Sequence, residues 1–250
     1  MAGYNGRGVH GTTVERLGVQ IVSGDVEPGH IFDLDALGAE LDVSKTALRE
    51  ALKVLTSKGL IDARQRRGTY VQPRDSWDVL DSDVIRWHRS ASQAELILGD
   101  LAEVRAILEP ASAALAAQRR TDADIEELER ALADMAEASD GSPEAQIAAD
   151  LRWHRALLRA THNQMLARME SIIEPALLLR DSLVHDHPHD DPVPSHARVT
   201  EAIKAGDGAA ASTAAAALML KATDDLVATL NDLGEGRDTT SDPTAEEGRA

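Results

Sequence analysis

The sequence predicts a mainly α protein in two domains, a small N-terminal one that ends in a two-stranded hairpin and a larger one built of helices alone. Three observations predict it. Apolar residues recur at helical spacing over most of the 250 residues. The one stretch that reads as strand lies around 60–71 and brackets a basic turn. Charge is divided unevenly: residues 1–74 hold ten Lys and Arg against nine Asp and Glu, so they carry +1 and the remainder carries −18 within a net charge of −17.

The elements of the first domain follow in order. Val14, Leu17, Ile21 and Val22 share one face of a helix over 12–23, and Gly24, Pro28 and Gly29 break what comes after. A short helix over about 35–41 has Asp33 or Asp35 as its N-cap. Ser44 caps a longer helix that runs to Lys58, and Gly59 stands where a left-handed residue ends it. Residues 60–63 and 69–71 then flank Arg64-Gln65-Arg66-Arg67-Gly68, a basic β-hairpin with glycine at its turn. Two short helices, a tight turn and a hairpin after the second helix make a winged helix-turn-helix, which places the helix from Ser44 in the DNA major groove.

On that helix Leu48, Ala51, Leu52 and Leu55 face inward, whereas Lys45, Thr46, Arg49 and Lys53 face outward. An arginine reaches guanine O6 and N7 with two hydrogen bonds, worth about 1–3 kcal/mol against a wrong base. Arg64, Arg66 and Arg67, beside the turn residue Gly68, suit phosphate or minor-groove contact. Charges on one helix face alone would serve a solvated surface equally well. The hairpin, the caps and Gly59 together argue for DNA.

Residues 75–92 read as a linker, in which Trp77, Leu80, Val84 and Trp87 pack an interdomain helix. From 93 to 233 the pattern is that of an antiparallel helical bundle, with breaks at 141–143, 185–195 and 206–208. Beyond Gly234 the composition turns to Gly, Asp, Thr, Ser and Glu, and a disordered tail is expected over 234–250. There is no cysteine, hence no disulfide and no thiolate metal site. No apolar run is long enough to span a membrane, and residues 1–13 lack an apolar core of the secretory type. These features fit a cytoplasmic protein.

Asp150 and His154 stand at i and i+4 of one helix, and His196 begins a later one. Two imidazoles and a carboxylate suit a divalent ion such as Zn, Ni, Mn or Fe. From periodicity alone the plainer reading is a core histidine satisfied by Asp150. The same set is also the iron triad of oxygenases, so a metal-dependent enzyme is the alternative function; the all-helical pattern stands against it.

Residues 34–71 resemble the DNA-binding domain of the GntR family of bacterial regulators, whose recognition helix typically reads Ser-Arg-Thr-Pro-Val-Arg-Glu-Ala-Leu where this chain has 44–52. Arg49 and Gly68 match; Lys45 replaces an arginine, keeping the charge and losing its two-pronged geometry. The stretches 103–117, 150–166 and 196–207 resemble the FCD-type ligand-binding domain of the FadR subgroup. The resemblance implies a homodimeric transcription regulator on a pseudo-palindromic operator, a repressor of a catabolic operon released by a small carboxylate. It implies Asp150, His154 and His196 as metal ligands, with Leu218 standing where metal-binding members usually supply a further His. It also implies Arg105 as the basic residue that the first sensor helix points into the cavity; Arg180 and Asn163 are further effector candidates. The linker 73–88 is similar to that of the galactonate-operon repressor branch, which implies a sugar acid as effector. The three histidines of 185–190 read as a solvated loop.

Overall fold

The computed structural model describes residues 9–88, 91–184 and 191–238, without side chains at 91–93, 176, 180–184 and beyond 229. Eleven α-helices and one two-stranded antiparallel sheet lie among the described residues. The chain divides into two compact units, one of residues 1–100 with 171–179 and the other of 101–170 with 180–250.

In the first unit α1 (Val9–Ser23) starts three residues earlier than its apolar period suggests and buries Val14, Leu17, Ile21 and Val22. The carboxylate of Asp33, not Asp35, caps α2 (Leu34–Glu40) by accepting from two backbone amides. Ser44 Oγ accepts from the amide of Ala47 at 3.2 Å and starts α3 (Lys45–Ser57), which buries the expected Leu48, Ala51, Leu52 and Leu55. Gly59 ends that helix at φ 73°, and a Cβ there would lie 2.1 Å from the carbonyl oxygen of Ser76. Only glycine meets both demands.

Strands β1 (Ile61–Arg64) and β2 (Gly68–Val71) pair in the register Arg64 to Gly68, with Arg66 left-handed at the turn. Residues 29–32, expected only to break the chain, line the other side of β2: the amides of Gly29 and Phe32 donate to the carbonyls of Val71 and Thr69 at 2.8 and 2.9 Å. The outer edge of the wing strand is thereby partly covered.

The stretch read as a linker is packed into this unit. Helix α4 (Ser82–Trp87) lies on α1, and Trp77, Val84 and Trp87 join the same apolar core as α1 and α3, while Leu80 stays exposed. Gly18 makes room for it: a Cβ there would lie 2.7 Å from the Trp87 ring. An ionic cluster ties the pieces together. Lys58 Nζ reaches Asp81 Oδ1 at 2.7 Å and Asp83 Oδ2 at 2.8 Å, and Arg86 joins Asp83 Oδ1 at 2.9 Å to both oxygens of Glu15. Burial alone would lower the Lys58 pKa, but the two carboxylates outweigh it and hold it above the ordinary lysine value.

The second unit is helical throughout its described residues. It takes the end of α5 (Ala91–Arg119), then α6 (Asp122–Ala138), α7 (Pro143–Ala160), α8 (Gln164–Arg168), parts of α9 (Glu170–Val184), α10 (Val193–Ala205) and α11 (Gly208–Asp238). Ala113, Ala116 and Ala117 of α5 bring backbones close around Leu128, Leu157, Val199 and Ile203. Turns at 141–143 and 206–208 fall where expected, with Ser142 capping α7 and Gly206 left-handed at φ 76°. A further break at 161–163, absent from the sequence reading, has His162 at φ 50° and Asn163 as the cap of α8.

Two expectations need correction. Helix α10 begins at Val193, with Pro194 in its first turn, so the break at 185–195 closes by residue 192. Helix α11 runs to Asp238, past the expected start of a disordered tail at 234, because extending a formed helix adds a hydrogen bond per residue. Residues 239–250 and the histidines of 185–190 lie outside the described residues. No helix among the described residues is long and apolar enough to cross a membrane.

Candidate functional site

The outward face of α3 carries Lys45, Thr46, Arg49 and Lys53, all exposed. Lys45 pairs with Asp35 at 2.7 Å and Lys53 with Glu50 at 2.6 Å, both at the surface. Such exposed pairs are worth about 0–1 kcal/mol and exchange readily for phosphates. On the wing Asp62 accepts from Arg64 Nε and from the Tyr70 hydroxyl, each at 3.0 Å, and the Arg67 guanidinium lies 3.6 Å from the Tyr70 ring centre. These contacts stiffen the hairpin and fix two of its three arginines. Arg66 is exposed at the tip and Gly68 takes φ 85°.

A buried polar group lies within the second unit, where α5, α7 and α10 contribute to it. Asp150 and His154 come from one face of α7, and His196 from the first turn of α10. One ligand atom from each lies within 4.8 Å of the others. Asp150 Oδ1 is 3.2 Å from His196 Nε2, and Asp150 Oδ2 is 3.6 Å from His154 Nε2. The other ring nitrogen of His196 donates to the carbonyl of Pro192 at 2.8 Å, which turns Nε2 toward Asp150. Trp153 stands edge-on to both imidazoles and donates to Thr200 Oγ1 at 3.0 Å.

Helix α5 supplies Arg105, where the resemblance implied it, and also Glu109. Arg105 Nε donates to Glu109 Oε1 at 2.6 Å, and Arg105 Nη2 lies 3.0 Å from His154 Nε2. Glu109 Oε2 sits 2.9 Å from His154 Nδ1, close enough for a strong charge interaction though poorly angled for a hydrogen bond. Arg105, Glu109, His154 and His196 are each no more than 5% exposed.

Burial opposes ionisation of Glu109, but Arg105 and His154 outweigh it and bring its carboxyl down to about 2. Asp150 is likewise held well below the ordinary range, with burial overcome by the two histidines. For His154 burial pulls the pKa down and the two carboxylates pull it up further, so the net direction is upward. Two buried carboxylates thus face one fixed cation, Arg105. Asp150 Oδ2 and His196 Nε2 are buried without a well-formed hydrogen bond. That is the environment in which a divalent cation fits.

The sequence reading did not single out Glu109. Its signal is a carboxylate four residues after Arg105 in an otherwise small and apolar stretch. Asn163 caps α8: its Oδ1 accepts from the amides of Met165 and Leu166 at 2.9 and 3.4 Å. Arg180 lies on α9, with its side chain outside the described residues. Leu218 is buried in the apolar core of the unit.

Two family models match the chain. The one described as bacterial regulatory proteins, gntR family, matches residues 11–71, and the one described as FCD domain matches residues 100–233. The galactonate operon transcriptional repressor of Escherichia coli strain K12 is 33% identical over 211 residues, covering 83% of this chain and 92% of that protein. LutR, an HTH-type transcriptional regulator of Bacillus subtilis strain 168, is 31% identical over 206 residues, covering 78% and 90%. Among solved structures, Lar, described as controlling the Listeria monocytogenes agr system, superposes with a TM-score of 0.62 at 17% identity, covering 91% of this chain and 98% of that one. That likeness concerns the fold.

Proposed function

Because the chain belongs to the GntR family and carries an FCD domain, we propose that this DNA-binding transcription regulator represses a catabolic operon under the control of a small carboxylate, a sugar acid of the aldonate kind. The single observation that carries the effector class is the buried group around Arg105. A guanidinium, two imidazoles and two carboxylates converge there, and an arginine beside metal-ligand types suits a hydroxy-carboxylate. The relative that acts on a galactonate operon supports the aldonate class. The gntR family model and the two relatives named above are described as regulators, so the oxygenase-like use of Asp150, His154 and His196 is set aside.

Asp150, His154 and His196 would hold a divalent metal, with Zn, Ni, Mn and Fe the fitting ions. Such an ion supplies a Lewis-acid partner for the carboxylate and hydroxyl oxygens of a sugar acid. Arg105 binds the effector carboxylate, and Glu109 holds Arg105 through Nε. Lys45, Thr46, Arg49 and Lys53 read bases, while Arg64, Arg66 and Arg67 with Gly68 hold the backbone or minor groove. Two copies bind the halves of a pseudo-palindromic operator. An effector changes operator affinity only by the difference in its own affinity for the two states.

The test is fluorescence anisotropy on DNA from the gene's own upstream region, with scrambled competitor, titrated with galactonate, gluconate and simple carboxylates. Selective binding released by one aldonate supports the reading. Selective binding that no aldonate alters removes the effector class and leaves the regulator.

A further inference from the structure

Resting on the reading of Asp150, His154 and His196 as metal ligands, we infer that Arg105 is a gate on that site: its guanidinium holds the His154 lone pair that a metal needs, and it is free to take a carboxylate only once it lets that lone pair go. The argument begins with donors and acceptors. A guanidinium has five N–H donors and no acceptor. Its 3.0 Å approach to His154 Nε2 is therefore a hydrogen bond only in the neutral ring, with Nε2 as the lone pair and the proton on Nδ1. The doubly protonated ring offers a lone pair to neither guanidinium nor metal, so the gate concerns the neutral ring that a metal also requires. Glu109 Oε2, 2.9 Å from Nδ1, favours that tautomer.

An imidazole binds a divalent ion through the same lone pair at about 2.0–2.1 Å. One lone pair does not serve both partners, and two buried cations at that range repel strongly. Arg105 can yield without leaving its place, because Nε stays anchored on Glu109 Oε1 at 2.6 Å while the Nη groups turn away. Asp150 Oδ2 and His196 Nε2, buried and without a well-formed hydrogen bond, face the site in either case. Leu218 gives the site no further donor, so the competition for one of three ligands weighs on affinity. Metal and carboxylate therefore bind with positive coupling. Without metal, a carboxylate must compete with His154 for the guanidinium.

The test uses the full-length protein stripped with a chelator and titrated with Co²⁺ by visible absorption, then with Zn²⁺ against a chromophoric chelator. Arg105→Met keeps the aliphatic stem and removes the charge; it is expected to bind both ions at least about tenfold more tightly than the wild type, the size of effect that losing a charged hydrogen-bond competitor gives. Glu109→Gln removes the anion behind His154 and should weaken binding about 10–100-fold. Opposite signs from adjacent buried changes are not what general disruption of the core produces. Far-ultraviolet circular dichroism checks the fold, and Arg105→Gln replaces the Met variant if that one unfolds. Wild-type binding with equal or weaker binding by the Arg105 variants overturns the gate and leaves the metal reading standing. Binding by the variants but not by the wild type supports the gate in its strongest form. If none of the proteins binds either ion, the metal reading fails and the gate with it.

Discussion

Replacing Lys58 by Met keeps most of the apolar stem and removes the ammonium that sits between Asp81 and Asp83 at 2.7 and 2.8 Å. The Lys58 side chain is 9% exposed and that of Asp83 3%, so water replaces little of what is lost. Asp81 keeps its cap bonds to the amides of Asp83 and Val84. Asp83 keeps Arg86, which it shares with Glu15. Removing one partner of a buried pair costs about 3–5 kcal/mol, and the retained partners reduce that to about 2–4 kcal/mol here. A domain of this size loses about 4–8 °C of Tm per kcal/mol, so calorimetry should show the first unit melting at least about 8 °C lower. Lys53→Met, which breaks the exposed pair with Glu50, is the control and should cost about 0.5 kcal/mol or less. Adding Asp83→Asn to Lys58→Met should restore part of the loss, because the stranded charge is gone. The Lys58 pKa is raised in the fold, so its contribution is complete at neutral pH and is lost only as the pH climbs through that raised value. A Lys58→Met protein that melts with the wild type, or a double variant less stable than either single one, would refute this account.

Three further outcomes are expected. Gly18→Ala forces a methyl to within 2.7 Å of the Trp87 ring and should destabilise the first unit by about 1–3 kcal/mol in urea titrations, a cost that Trp87→Leu should relieve. Arg49→Ala should weaken operator binding by about 1–3 kcal/mol and scrambled DNA far less, whereas Arg66→Ala should weaken both and lower the salt slope by about 1; anisotropy at several salt concentrations separates them. The Glu109 carboxyl falls from 4.5 to about 2 on folding, so the stability it confers is full above the ordinary glutamate range and drains away as pH falls from about 4.5 toward 2. Circular dichroism should show the wild type losing stability over that window, with Glu109→Gln less stable at neutral pH and flatter below; parallel curves would remove the assignment.

Much of the DNA-reading half is legible in the sequence because its punctuation is local. Ser44 caps α3 three residues from its partner amide, Gly59 and Gly68 adopt the backbone that their neighbours demand, and the buried stripe of α3 follows the helical period. What was missed depends on distant partners. Residues 29–32 look like loop until β2 is there to accept their amides, and the 75–92 stretch looks like a linker until α1 offers Gly18 to Trp87. The cluster of Asp150, His154 and His196 could be suggested from i, i+4 spacing and a histidine opening a later helix, although the same pattern serves a satisfied core. The role of Glu109 is hidden for a different reason. Four residues after an arginine, it reads as an ordinary helix ion pair; its contact with His154 exists only where α5 and α7 meet. Asn163 has a local role that the sequence also hides, its oxygen capping α8 by accepting from two amides.

The closeness of Ser76 to Gly59 also bears on how such a regulator can diverge. With the backbone of Ser76 lying directly against it, the residue that follows α3 has no room for a side chain. Substitution is thereby barred at Gly59 and left to the outward positions of the helix, where Lys45, Thr46, Arg49 and Lys53 are exposed and bury little. A duplicated copy could vary at those outward positions while inheriting the rest of its folded body unchanged.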